Sequence, residues 1–250
     1  MDLNELPGPA PASTAFTAPP PAAAPWGLAD ILRGIGLAVL GSIVVLAVAA
    51  LAVVVVNRPH SDAETLAVLI PNLGLEAVLL LVPILLVVGK HRGSLRDLGF
   101  RAPQRGGLWL APLLVVGGWI IISVYFAALS ALGLGGLSDQ QQLPDRAFES
   151  PALIAVVGVL ALGAAPLCEE TFFRGFVFPG LLRRWRFPVA ALASGLLFAL
   201  AHIYPVLYVP FALIGALFAF GYFYSGSLWV PMAAHFMFNG ISFAIGVLSS

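Results

Sequence analysis

Apolar runs recur along almost the whole of this chain, at Ile31–Val56, Leu66–Val88, Leu108–Leu132, Ala152–Leu182, Val189–Ile203, Val206–Tyr224 and Leu228–Leu248. A helix needs about 20 residues to cross about 30 Å of hydrocarbon, so all but the fifth run are long enough to span a bilayer. The fifth is expected to be a helix enclosed by protein. The fourth exceeds one straight span, and Pro166 within it lacks the amide donor that a helix interior uses, so a kink or a break into two helices is expected there. The fold these runs imply is all-α, a polytopic transmembrane bundle of about 7–8 helices. Composition agrees: 60% of residues are apolar and 10% charged, whereas soluble domains carry about a quarter charged residues.

Ahead of the first run, residues 1–27 are rich in Pro and Ala and show no apolar periodicity. Such a segment cannot bury enough surface to fold and is expected to be a disordered tail, leaving 28–250 as the membrane domain. No basic stretch precedes the first run, which is too long for the core of a signal peptide, so a cleaved leader is not expected. The formal net charge is zero, which gives no indication of nucleic-acid binding. The single cysteine, Cys168, precludes an intrachain disulfide and reads as a small buried residue.

Basic residues set the expected orientation. Lys90, Arg92, Arg96, Arg101 and Arg105 follow the second run, and Arg183, Arg184 and Arg186 follow the fourth. Alternation from a cytoplasmic N-terminus puts both groups inside. It puts the 133–150 loop, with Asp139, Asp145 and Glu149 against Arg146, outside. Trp26, Trp109, Trp185 and Trp229 then gather near the inner interface, where indoles are favoured.

Three polar clusters interrupt the most apolar part of the chain: Glu169, Glu170 and Arg174; Phe198 and His202; His235 and Asn239. An ionisable group at membrane depth costs several kcal/mol unless paired or hydrated, so each cluster is a candidate functional site. Glu169 lies 14 residues before Arg183 and His202 lies 14 after Pro188, which places both about 21 Å from the inner helix ends at about 1.5 Å per residue. His235 and Asn239 fall about 12–18 Å beyond the turn at Ser225–Ser227 on the same scale. Antiparallel helices could therefore bring all of them into one layer. Within the clusters, Glu170 and Arg174 have the i,i+4 spacing of a helical ion pair, leaving Glu169 about 100° round the helix to point elsewhere. Phe198, one turn before His202, would pack beneath the imidazole. Gly175 would admit a close helix approach. Glu76 lies 14 residues before Lys90 and so at a similar depth. With Asn72 one turn away, it reads first as a hydrogen-bonded structural carboxyl and second as part of the site.

The three clusters, in this order, resemble the CPBP family, the CAAX-protease and bacteriocin-processing membrane proteins also called Abi proteins. Its pattern is Glu-Glu-x-x-x-Arg, then Phe-x-x-x-His, then His-x-x-x-Asn or Asp, and this sequence matches it at every position over a core of 150–245. Upstream, Leu95 to Phe100 is similar to a short segment that often precedes a membrane span in these proteins. The resemblance implies a bundle of about eight membrane helices and endoproteolysis within the membrane on a peptide or protein substrate; a bacterial cell membrane is expected from composition, since eleven of the twelve basic residues are arginine and the chain is rich in Ala and Gly. Some members of the family act in bacteriocin immunity or as scaffolds.

The chemistry these residue types support is attack of an activated water on a peptide carbonyl. Glu169 would be the general base and His202 would orient the water and protonate the leaving amine. His235 and Asn239 would donate to the oxyanion, with Glu170, Arg174 and Phe198 in support. No cofactor is favoured. The alternative is a divalent metal such as zinc on Glu169, His202 and His235 with an open position for water, although the His-Glu-x-x-His signature is absent. Two readings outside enzymology are a non-catalytic binder or scaffold using the same cavity, and a proton-coupled transporter, against which no inverted repeat is visible.

Overall fold

Pro166 does not break the fourth run. In the computed structural model, which describes residues 24–56, 62–104, 106–136 and 147–249, one continuous helix of 32 residues covers Pro151–Leu182. Two π-helical turns, Val159–Ala164 and Thr171–Val177, are built into it. The first lies just ahead of Pro166, which sits in the first turn of the α-helical stretch Ala165–Glu170. The wider turn moves the acceptor that Pro166 cannot serve and relieves the clash with the preceding carbonyls, so the axis continues.

We number the helices α1 (Leu28–Val56), α2 (Asp62–Ile84, extended by a π turn at Leu85–Lys90), α3 (Leu110–Ala131), α4 (Pro151–Leu182), α5 (Phe187–Ala201), α6 (Tyr208–Ser225) and α7 (Trp229–Ser249). Six of the seven, all but α5, are long and apolar enough to cross a membrane. Every regular element among the described residues is helical. The all-α bundle expected from the sequence is therefore observed, with seven helices among the described residues because the fourth run stays whole.

Helix α4 is the hub, packed against α1, α2, α5, α6 and α7, with α3 closing the far side against α6 and α7. Small residues set the closest approaches, as expected where apolar lipid gives no hydrophobic drive for helix pairing. On the α5–α6 crossing, a Cβ on Gly195 would run into the carbonyl oxygen of Ala212 and stand 2.8 Å from the amide nitrogen of Ala216, while one on Gly215 would stand 2.6 Å from the Cα of Gly195. Helices α1 and α2 interlock reciprocally: a Cβ on Gly41 would meet Val78 at 2.9 Å and one on Gly74 would meet Val45 at 3.1 Å. Gly175, expected to admit a helix, is instead approached by the loop after α2, where the carbonyl of Leu98 would lie 2.8 Å from an added Cβ.

That loop contains the segment Leu95–Phe100 singled out in the sequence, and it fastens the turn between α6 and α7. Leu98 is fully buried. The Gly99 carbonyl accepts from the Leu228 amide at 2.9 Å, Arg101 Nε donates to the Gly226 carbonyl at 2.6 Å, and the Gln104 amide donates to the Ser225 carbonyl at 2.7 Å. Gly226 ends α6 in the left-handed region at φ +67°, the conformation that a helix-terminating glycine adopts without a Cβ penalty.

The packed protein begins before residue 28. Trp26, which the sequence reading left in the tail, is fully buried, stacks on Phe176 and donates from Nε1 to the Phe176 carbonyl at 2.7 Å. It is a core residue and not an interfacial one, whereas Trp109, Trp185 and Trp229 are exposed. Residues 1–23 and the acidic stretch 137–146 lie outside the described residues.

The α5–α6 contact yields a direct test. Gly195→Ala must displace backbone, and overpacking of this kind costs about 1–3 kcal/mol. Gly36 has nothing within 4 Å of an added Cβ. Thermal unfolding in detergent is expected to show a lowered midpoint for Gly195→Ala and none for Gly36→Ala.

Candidate active site

Glu170, Arg174 and His235 form one hydrogen-bonded unit in the core. Glu170 and Arg174 are both fully buried, and Glu170 Oε1 accepts from Arg174 Nη1 at 2.9 Å across the i,i+4 spacing read in the sequence. The same oxygen accepts from His235 Nδ1, also at 2.9 Å, which joins α4 to α7. A carboxylate can only accept, so Nδ1 carries the hydrogen of this bond. Arg174 Nη2 donates to the Gly215 carbonyl of α6 at 3.1 Å. Its guanidinium carbon lies 4.4 Å from the ring centroid of Phe198, 5.6 Å from that of Phe218 and 5.9 Å from that of Phe173. The cation is thus held by one carboxylate, one carbonyl and aromatic faces, a combination that suits the planar guanidinium better than an ammonium. Gly215 makes room for it, since an added Cβ would stand 3.1 Å from Arg174 Nη2.

Glu169 points away from this unit, as its position on the helix predicted. Its Oε2 is buried with no hydrogen-bond partner among the described residues. It lies 3.9 Å from His235 Nε2, too far for a direct hydrogen bond. His235, with Nδ1 committed to Glu170, presents this second nitrogen toward Glu169.

His202 closes α5 as its C-terminal cap residue and is half-buried. Its Nδ1 pairs with the Phe198 carbonyl at 2.9 Å, which makes Nδ1 the protonated nitrogen and leaves Nε2 free. Phe198 packs against the imidazole, as expected, with ring centroids 4.6 Å apart, and the centroid of His235 lies 6.1 Å from that of Phe198. The residue after His202, Ile203, is held at φ +59°, a left-handed conformation that is costly for a β-branched side chain.

Asn239 Nδ2 donates to the Ala161 carbonyl at 2.9 Å. That carbonyl belongs to the first π turn of α4, and the second turn is served in the same way. Ser194 Oγ donates to the Phe173 carbonyl at 3.0 Å, and Trp26 Nε1 takes that of Phe176. Side chains from three other elements therefore engage the carbonyls of the widened turns, as membrane-depth backbone requires. These donors were invisible in the sequence, because each partner lies far along the chain.

Glu76 lies on α2, which packs against α4, and its Oε2 is buried with no hydrogen-bond partner among the described residues. Asn72 is not its partner, since its amide turns back onto its own helix, to the carbonyls of Val68 at 3.0 Å and Leu69 at 3.3 Å. Cys168 is buried, as expected. Among the described residues no three His, Cys, Asp or Glu side chains are grouped closely enough to hold a metal ion. Glu169, His202 and His235 are thus not gathered into a ligand set in this arrangement. Beside the site, an apolar groove of about 330 Å³ runs along the α4–α7 seam, lined by residues that include Leu162, Pro166, Leu167, Met232 and Phe236.

Residues 150–241, which hold all three motifs, match the family model described as type II CAAX prenyl endopeptidase Rce1-like. Over that segment the chain is similar to the Rce1-like proteins. A curated relative, the Bacillus subtilis (strain 168) protein named "Putative membrane peptidase YdiL", is 27% identical over 131 residues, covering 48% of this chain. The alignment spans 52% of that relative, about half its length. No solved structure matches.

Removing the guanidinium tests the ionic unit. Arg174→Ala leaves the Glu170 carboxylate without its counter-charge, and breaking a buried pair costs about 3–5 kcal/mol. A lowered unfolding midpoint in detergent is the expected result. Unchanged melting with lost function would make Arg174 a substrate contact.

Proposed function

We propose that this chain is an intramembrane peptidase of the Rce1-like type, hydrolysing a peptide bond with a water activated by Glu169. The observation that carries this reading is the 3.9 Å separation between Glu169 Oε2 and His235 Nε2, with that carboxylate oxygen buried and otherwise unpartnered. A water seated between them loses a proton to Glu169 as its oxygen bonds to the substrate carbonyl carbon. The second amide hydrogen of Asn239 donates to the oxyanion, and His235 joins it only with hydrogens on both ring nitrogens, Nδ1–H to Glu170 and Nε2–H to the oxyanion; one such donor is worth about 3–4 kcal/mol. When the tetrahedral intermediate collapses, the C–N bond breaks and the proton that Glu169 took from water passes by way of His202 Nε2 to the leaving amine, which returns Glu169 to its ionised form. Glu170, Arg174 and Phe198 do not meet the substrate in this scheme; they hold His235 and His202 in place. The apolar groove along α4 and α7 suits an apolar portion of the substrate next to the scissile bond. The matched family model and the relative's printed name support the same class of reaction.

The test is cleavage of a quenched peptide panel by purified protein in detergent or liposomes. Glu169→Gln is expected to lower turnover by about 10²-fold or more while melting like the parent. Near-parental turnover by that variant would remove Glu169 from the role of base.

The same reading puts the chain in a bacterial cell membrane, and the basic loops after α2 and α4 support a cytoplasmic N-terminus. Ser94 and Leu134 are exposed at opposite ends of the expected topology. In a Cys168→Ala background, Ser94→Cys is expected to resist a membrane-impermeant thiol reagent in intact cells and Leu134→Cys to react. The opposite pattern would turn the molecule over.

A further inference from the structure

Helix α5 ends through a backbone conformation that costs free energy. Among the described residues only Arg92 and Ile203 take a positive φ without being glycine, and of the two only Ile203 is β-branched. A helix that ends through a left-handed residue usually has glycine there. The Ile203 side chain is 74% exposed, so its own packing does not offset the cost. The neighbours hold it instead. Tyr204 is extended ahead of Pro205, as a residue before proline prefers. The His202 ring packs against Phe198, with centroids 4.6 Å apart, and against Phe211 of α6 at 4.8 Å. Strain that persists because its surroundings over-determine it is concentrated at functional sites.

The same turn changes which group serves the Phe198 carbonyl. In a continuing α-helix the His202 amide would donate to it, four residues back. Here that amide donates to the Ala199 carbonyl, three back, at 3.1 Å, and the Ile203 amide reaches the Leu200 carbonyl at 3.4 Å. The last turn is thus tightened, and the Phe198 carbonyl is taken by His202 Nδ1 at 2.9 Å. We propose that Ile203 is a positioning residue for His202: its left-handed backbone ends α5 at the imidazole and releases the Phe198 carbonyl to Nδ1, which keeps Nε2 as the nitrogen that exchanges a proton. This inference rests on the hydrolytic reading of the site. Nδ1 holds its hydrogen throughout, while Nε2 gains a proton that began on water and loses it to the leaving amine, so no further reactant is needed.

Two variants separate the backbone from the side chain. Ile203→Gly reaches the left-handed region without a Cβ penalty, so its unfolding midpoint in detergent is expected to rise while kcat and KM for a quenched peptide stay parental. Ile203→Pro, with φ held at about −65°, cannot reach that region, and kcat is expected to fall by about 10²-fold or more with KM little changed. Nitrogen NMR of the histidine rings gives a readout that needs no turnover, with His202 assigned by its loss in His202→Gln. The neutral ring is expected to carry hydrogen on Nδ1 in the parent and in Ile203→Gly, and to lose that preference in Ile203→Pro. A midpoint that does not rise in Ile203→Gly overturns the proposal, and so does lost turnover in that variant, which would give the side chain the role. Parental kcat in Ile203→Pro also overturns it. If Ile203→Pro does not fold, Ile203→Gly and the parent spectrum decide, and hydrogen on Nε2 of the neutral parent ring is the overturning result. If the parent cleaves no peptide, the hydrolytic reading fails, and the ring spectra alone decide whether the helix end sets the tautomer.

Discussion

The arrangement depends on one buried oxygen, Oε1 of Glu170, which accepts from both Arg174 and His235. An ion pair sealed from water recovers its desolvation cost only with near-ideal geometry and further hydrogen bonds. Arg174 gains one further hydrogen bond, to the Gly215 carbonyl, and the face of Phe198, while its Nε and Glu170 Oε2 are buried with no partner among the described residues. The result is a polar strut running from α4 to α6 and α7. It turns three apolar helices, which could otherwise slide or rotate against one another, into a fixed frame. Glu169, one residue away, inherits its direction from that frame.

Much of this was legible in the chain. Hydropathy located all seven helices, because backbone in hydrocarbon has few alternatives to a helix. The Glu170–Arg174 pair and the packing of Phe198 under His202 followed from spacing along one helix. What escaped was tertiary. Glu170 and His235 are 65 residues apart, and nothing local says which carboxylate the imidazole chooses. Asn239 was read as an oxyanion donor, and its commitment to the Ala161 carbonyl depends on a π turn that no periodicity marks. Trp26 was read as interfacial because the topology gathers it with three other indoles at the inner face; its carbonyl partner lies 150 residues downstream. Pro166 signalled a break from its own chemistry, and the preceding turn absorbed it.

Glycine carried more information than its frequency suggested. Gly175 was read as a helix-packing residue and is filled by a loop carbonyl, whereas Gly195 and Gly215, unremarkable in sequence, bring α5 and α6 nearly into backbone contact. That contact also exposes the Gly215 carbonyl to Arg174. Close helix packing and charge solvation are thus supplied by the same missing side chains.

The two π turns of α4 have a separate consequence for how such a chain can vary. In a regular α-helix, inserting or deleting one residue rotates everything beyond it by about 100°, so length and facing are locked together. A π turn holds an extra residue within an otherwise continuous axis and breaks that lock. The stretch Pro151–Gly158 ahead of the first π turn can therefore track bilayer thickness on its own phase. Residues 165–182 keep theirs, set by the polar strut. The helix behaves as two rotors on one shaft, and the carboxylates ride on the one that does not have to adapt.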